Sequence, residues 1–294
     1  MPAIRHILVV NGHKVHRPVF VLGAPHSGAD LIARALKRSG GFHLTIGRSN
    51  VLRVIYAFAR RPSIHRGHGD AAARVLRDAF AEAWQISPHA CIGCAPQCRA
   101  ASGVNGVGPC VDTRDTSRYG DASPDLLYCA QVLVDAFPDA QLVQVVRDGR
   151  DVVAEMLADE FALAWFRPGF SNLDIEFPNS FFGIDTEAER LGWGDMSLAG
   201  KCALRWRGAV RLAARLRKDL SQDQLTTLRY EDVVRHPRQA AVAVSEFIGA
   251  PTSAILLHAA HPANAGTWRR RLTAGQASDV EMVAGEELRR IGYG

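Results

Sequence analysis

The sequence predicts an α/β fold, one domain over residues 1–294, with a mainly parallel central sheet flanked by helices. Three observations predict it. A short apolar run, Val19-Phe-Val-Leu22, breaks at Gly23 and passes through a turn into a helical stretch. A second run, Gln141 to Val146, ends at Arg147 and leads into another helix at Gly149. Strand and helix signals then alternate towards the C-terminus, which demands crossover helices and parallel strands.

The first unit carries the clearest chemistry. Gly23-Ala-Pro-His-Ser-Gly28 followed by a helix at Leu31–Lys37, stopped by Gly40 and Gly41, reads as strand, glycine turn and helix. Such a turn offers unpaired backbone N–H groups and the positive end of a helix dipole to an anion, so the loop is P-loop-like. A magnesium-dependent nucleoside triphosphatase would next need Lys and Ser or Thr; here Ala29 and Asp30 follow, which disfavours that chemistry. Ser27 with Asp30 three residues on also fits a capping box, in which both side chains would occupy the same N–H groups.

Helical stretches are expected at 50–60 and 70–85, then a Cys-, Gly- and Pro-rich excursion over about 87–118. Further helices are expected at 124–137, 201–216, 237–248 and 276–291, with a strand at Leu225–Tyr230. The aromatic, Gly- and Pro-punctuated stretch from Asp159 to Ala199 reads as loop-rich, in the manner of a substrate wall.

Within the excursion, Cys91, Cys94, Cys98 and Cys110 have a spacing that can close a tetrahedral thiolate site, and structural zinc is the expectation. Its role would be to fold a segment too poor in apolar residues to bury its own core. Four sulfurs would leave no open position for catalysis.

Composition narrows the partners. At 47% hydrophobic and 22% charged the chain is ordinary globular protein, and no eighteen-residue apolar run exists to span a membrane. MPAIRHILVV lacks a small-residue cleavage site, so a cytoplasmic protein is expected. The net charge of +5 suits an anionic ligand. Because the arginines are scattered, with no interleaved aromatics, a small polyanion is expected and nucleic acid is not. Oligomeric state is not legible.

Five segments in order resemble the PAPS-dependent sulfotransferase family. Gly23-Ala-Pro-His-Ser-Gly-Ala-Asp-Leu31 is similar to the family's loop for the 5′-phosphosulfate. Tyr119-Gly-Asp-Ala-Ser-Pro124 resembles an element of bacterial and carbohydrate members. Gln144 to Val153, with Arg147 at its centre, resembles the element that holds the donor's 3′-phosphate. Leu228 to Pro237 resembles the segment whose tyrosine, here Tyr230, lies by the adenine. Gly266-Thr-Trp268-Arg269 resembles the C-terminal Gly-x-Trp segment. The resemblance implies sulfuryl transfer from PAPS, as co-substrate, to a hydroxyl or amine of a small-molecule or carbohydrate acceptor. Gly23, Pro25, His26, Ser27, Gly28, Ala29, Asp30, Arg147, Glu155, Tyr230, Trp268 and Arg269 would form the donor site.

Departures from the pattern are specific. His26 stands at the family's catalytic Lys/Arg position, and Ala29 and Asp30 replace two threonines. Glu155 replaces the serine eight residues after the phosphate-binding arginine. The expected resolution is that Asp30 caps its helix while Glu155 pairs with Arg147 or Arg150; a donor of altered charge, or a catalytically silent binding protein, are the alternatives. His26 would supply a cation beside the leaving phosphate, and His43 is the candidate general base.

Overall fold

The computed structural model describes residues 7–87, 89–104, 108–254, 257 and 262–294. Five parallel strands form the sheet in the order β4 (Phe42–Thr45), β5 (Arg118–Asp121), β3 (Val19–Gly23), β6 (Gln141–Val146) and β7 (Leu225–Arg229). β3 is central and buried on both faces, and its side chains alternate between two cores as a strand's period of two requires. Phe20 and Leu22 enter a core with Phe80, Trp84 and Trp206, while Val19 and Val21 enter another with Ile32, Leu36, Val143 and Val145.

The helices that position the site are α1 (Ala29–Lys37), α6 (Gly149–Met156), α7 (Glu160–Ala164) and α9 (Leu198–Asp219). α9 is buried along much of its length and carries Arg205, whose guanidinium meets Asp125 at 2.7 Å. Two buried charges in contact offset each other's loss of hydration, which neither could bear alone. Next to it Trp206 Nε1 donates to the Arg147 carbonyl at 3.2 Å. The same indole lies so close over Gly149 that a Cβ there would sit 2.7 Å from it. α9 therefore pins the turn between β6 and α6.

Several expectations are corrected. β4 and β5 lie where no strand was expected, as does a hairpin of β1 (Val9–Val10) and β2 (His13–Lys14). Its turn is Asn11-Gly12, both at positive φ, the pairing that a two-residue hairpin favours. The expected 124–137 helix is a 3-10 turn at Leu126–Cys129 followed by α5 (Ala130–Ala136). α1 starts at Ala29, two residues before the expected helix, and ends at Lys37 as expected. Tyr230 is not the end of β7 but the first residue of α10 (Tyr230–Arg235). The cysteine-rich segment contains α4 (Pro96–Ser102). Among the described residues no helix is long and apolar enough to cross a membrane.

Candidate active site at the carboxyl edge of the sheet

β3 and β6 run side by side, with Gly23 opposite Val145, so the two strand-to-helix turns that follow them are neighbours. After β3 the chain crosses to β4 on one side of the sheet, while β6 and β7 lie on the other. The carboxyl edge at such a change of direction is where open α/β sheets take ligands.

The first turn is shaped by two left-handed residues, His26 at φ 59° and Gly28 at φ 91°. Gly28 is the N-cap of α1 and no side chain caps that helix. A Cβ on Gly28 would lie 2.3 Å from the Tyr230 ring, so glycine is needed both for φ and for this approach. The expected capping box is absent. Ser27 Oγ is buried without a partner, and Asp30 turns outward to Arg34, one helical turn along. The N–H groups opening α1 are thus left free of both side chains.

Arg147 follows β6 and is 5% exposed. Its Nη1 donates to the His26 carbonyl at 3.0 Å and its Nη2 to the Asn264 carbonyl at 2.9 Å. Its guanidinium carbon lies 4.5 Å from the centre of the Tyr230 ring, a cation–π contact that desolvation strengthens. A surface bridge to Asp148 or Asp151 does not form. Asp148 caps α6 and pairs with Arg150 at 2.8 Å, while Asp151 is fully buried. The Asp151 carboxylate accepts from Gly266 N (2.6 Å), Thr267 Oγ1 (3.1 Å) and Trp268 N (2.8 Å). This bolts the C-terminal segment onto α6. The guanidiniums of Arg150 and Arg269 both lie over the Trp268 ring, at 4.5 and 4.7 Å.

Glu155, on α6, pairs with Arg147 at 3.7 Å and with Arg271 at 2.6 Å. Partial burial pushes its carboxyl up, but the Arg271 hydrogen bond and charge, with Arg147 and His26, outweigh this and hold it below the usual glutamate range. His26 Nε2 meets Asp159 Oδ2 at 3.0 Å. The structure thus brings together the 23–30 turn, Arg147, Glu155, Tyr230, Trp268 and Arg269.

His43 and the cysteines lie elsewhere. His43 is 5% exposed on β4, edge-on to Tyr119, with Nδ1 4.0 Å from Cys110 Sγ. Burial, then Lys37 and Arg48, pull its pKa down to about 3, so it is neutral and its Nε2 is buried without a partner. The expected tetrahedral zinc site is not formed: among the described residues no group of three or more His, Cys, Asp or Glu side chains can hold a metal. The sulfurs pair two by two instead, Cys94 with Cys98 and Cys91 with Cys110. Lys37 donates to Cys110 Sγ at 3.3 Å and Arg48 to Cys94 Sγ at 3.5 Å. These cations stand beside the thiols where a carboxylate would be the usual partner.

Asp151, Asp159, Trp206 and Asn264 shape the site yet were missed in the sequence. Asp151 sits in a run of alternating charges that reads as a solvated helix start. The other three touch the site from 59 to 133 residues away in the chain, a distance local pattern does not carry.

Comparison with known proteins bears on the family and the fold. The model of the family described as "Sulfotransferase family" matches residues 18–254. The chain is similar to the protein-tyrosine sulfotransferase of Drosophila melanogaster, 20% identical over 149 residues; the match covers 48% of this chain and 24% of that longer protein. In structure it is similar to the sulfotransferase domain from the Synechococcus PCC 7002 olefin synthase. That likeness has a TM-score of 0.50 and 18% identity, over 94% of this chain and 96% of that one. A sulfotransferase from Mycobacterium avium gives 0.48 and 12%, over 96% and 78%. By the extent of the family match, the chain belongs to the sulfotransferase family.

Proposed function

We propose that the protein transfers a sulfuryl group from PAPS to a hydroxyl or amine of a small-molecule or carbohydrate acceptor. The observation that carries this reading is the convergence of the uncapped Gly23–Gly28 turn, the buried Arg147 and the Tyr230 ring at one edge of the sheet. The residues suit the donor. Ser27 Oγ and Arg147 Nε are both buried polar atoms without partners, and the N–H groups opening α1 point to an anion. PAPS, when bound, supplies the activated sulfuryl group. The 23–30 turn would hold the phosphosulfate end, Arg147 the 3′-phosphate by its planar fork, and Tyr230 and Trp268 the adenine side.

His26, carried beside this turn, would face the leaving phosphate as a cation and hold charge there as it develops. The acceptor wall would be formed beside α7, which Asp159 caps while meeting His26. Tyr56, Phe161 and Trp165 form a contiguous aromatic group there, with ring centres 4.9 to 6.5 Å apart. Such faces suit an apolar or aromatic acceptor. All six cysteines are free, as a reducing, cytoplasmic setting would keep them.

Thermal melting with adenosine 3′,5′-bisphosphate and with magnesium ATP tests the reading. The bisphosphate at about a hundred times its dissociation constant stabilises by roughly 2.7 kcal/mol and raises Tm, and ATP does less. No rise with the bisphosphate rejects the donor site.

A further inference from the structure

Where β4 passes into the helix Ser49–Arg60, Arg48 reaches across to the cysteine-rich segment. Its Nη1 donates to Cys94 Sγ at 3.5 Å and packs against Gly93, where a Cβ would meet it at 3.2 Å. The backbone brings Cys94 and Cys98 to each other. A 3-10 turn over Ala90–Gly93 ends at Cys94, which is extended at ψ 145°, and α4 then begins at Pro96. Cys98 N donates to the Ala95 carbonyl at 3.0 Å, so the first turn of α4 carries Cys98 back towards Cys94. There the two thiol groups hydrogen-bond, and neither is in a disulfide.

The two sulfurs differ as an attacking and a resolving thiol must. Cys94 is half-buried and lines a small cavity with Lys37, His43, Arg48 and Cys91. Cys98 is 1% exposed and packs in the core with Ile32 and Leu36 of α1. The hydrogen bond with Cys98 does most to bring the Cys94 thiol down to about 7, against burial and the neighbouring Cys91, while Arg48 and Lys37 add to the lowering. On Cys98 the bond with Cys94, then burial, push the thiol up. At neutral pH about half of Cys94 is therefore thiolate while Cys98 keeps its proton.

We propose that Cys94 and Cys98 form a peroxide-reactive dithiol, with Cys94 the attacking sulfur, Arg48 the cation beside it and Cys98 the resolving thiol. The Cys94 thiolate attacks one oxygen of hydrogen peroxide: a sulfur–oxygen bond forms, the oxygen–oxygen bond breaks, and hydroxide leaves, to be neutralised by the proton that Cys94 had shed. Cys98 then attacks the sulfenic sulfur: the sulfur–sulfur bond forms, the sulfur–oxygen bond breaks, and the hydroxyl departs as water with the Cys98 proton. Two thiols are oxidised and one peroxide is reduced to water. Both cysteines lie on one short stretch of chain, so closing the bridge draws on no other strand or helix. The site stands apart from the donor turn and does not depend on the sulfuryl-transfer reading.

Hydrogen peroxide added to the full chain in native buffer, followed by alkylation and peptide mass mapping, tests the proposal. The Cys94–Cys98 disulfide is expected to form before any other, with the chain lighter by two hydrogens and both thiols restored by dithiothreitol. In Cys98→Ser the sulfenic acid lacks its partner and should be captured at Cys94 by dimedone. In Arg48→Leu the disulfide should form about threefold more slowly or less at neutral pH, because less of Cys94 is ionised. If either variant fails to fold, the map of the parent chain still decides. A first bridge between any other two cysteines, a Cys94 that peroxide leaves reduced, or an unchanged rate in Arg48→Leu overturns the proposal. So does stoichiometric zinc in protein purified without chelator, since the thiols would then be metal ligands.

Discussion

Glu155 stands 3.7 Å from the guanidinium of Arg147, placing a carboxylate beside the cation proposed to read the donor's 3′-phosphate. Arg271 takes the same oxygen at 2.6 Å, so the glutamate is drawn towards the exposed side of the pair. Like charges near a phosphate repel through an environment that is only partly desolvated, and the cost stays modest. Glu155→Ser should therefore tighten adenosine 3′,5′-bisphosphate several-fold, about 1 kcal/mol, in calorimetric titration. Because the carboxyl is held below the usual glutamate range, it is charged at neutral pH and the gain is full there. The gain fades as pH falls through that lowered value, where the parent's own Glu155 takes up a proton. Equal affinity of the two chains at neutral pH would mean that Arg271 already removes Glu155 from the site.

Arg147→Lys tests the fork rather than the charge. Arginine here bonds two backbone carbonyls, of His26 and Asn264, and lies over the Tyr230 ring. A lysine ammonium keeps the charge but cannot make the planar two-point contact. The nucleotide dissociation constant should rise about tenfold or more, with a smaller fall in Tm. Unchanged affinity would place the 3′-phosphate elsewhere.

β3 was legible as a continuous apolar run ending in a turn, and β6 as a Val- and Leu-rich run, interrupted at Gln144, that also ends in a turn. β4 and β5 were not, since Phe42–Thr45 holds His43 and Thr45, and Arg118–Asp121 holds Arg118 and Asp121, in only four residues each. Thr45 and Asp121 are buried because they satisfy each other, Thr45 Oγ1 donating to Asp121 at 2.6 Å, and half-buried Arg118 donates to Gln141 at 2.7 Å. Local pattern reads a polar residue as exposed, and tertiary pairing reverses that. The capping box failed for a related reason. Ser27 and Asp30 have the right spacing, but the helix starts one residue later: Gly28, which has no side chain, is the N-cap, and Asp30 pairs with Arg34 instead.

Gly28→Ala probes that turn. A methyl group there meets the Tyr230 ring at 2.3 Å and must also adopt φ near +91°. The backbone strain alone costs about 1–2 kcal/mol, and the ring, packed under Arg147, must shift as well. The variant is expected to melt several degrees lower and to lose most of its nucleotide affinity, because the turn and Tyr230 move together. A stable variant that bound normally would show that Tyr230 is free to move without consequence.

His43 offers a test through pH. The folded protein pulls its pKa down to about 3, by burial first and then by Lys37 and Arg48, against an ordinary value of 6.5. Between those two values the unfolded chain takes up a proton that the folded chain refuses, so stability rises with pH across the window. The contribution is complete above pH 6.5 and is lost as pH falls towards 3. It amounts to a few kcal/mol over the whole range. Asp121, which burial pushes up to about 7, works in the opposite direction over an overlapping range, so the parent's total pH dependence mixes the two. His43→Leu, similar in bulk and without a titrating group, isolates the first. Urea unfolding of parent and variant between pH 7 and pH 4 should show the parent losing more stability, and the difference growing steadily as pH falls. Parallel losses would mean that His43 accepts a proton in the folded state. A histidine that exchanges protons there would regain the general-base role that its burial beneath Cys110 now argues against.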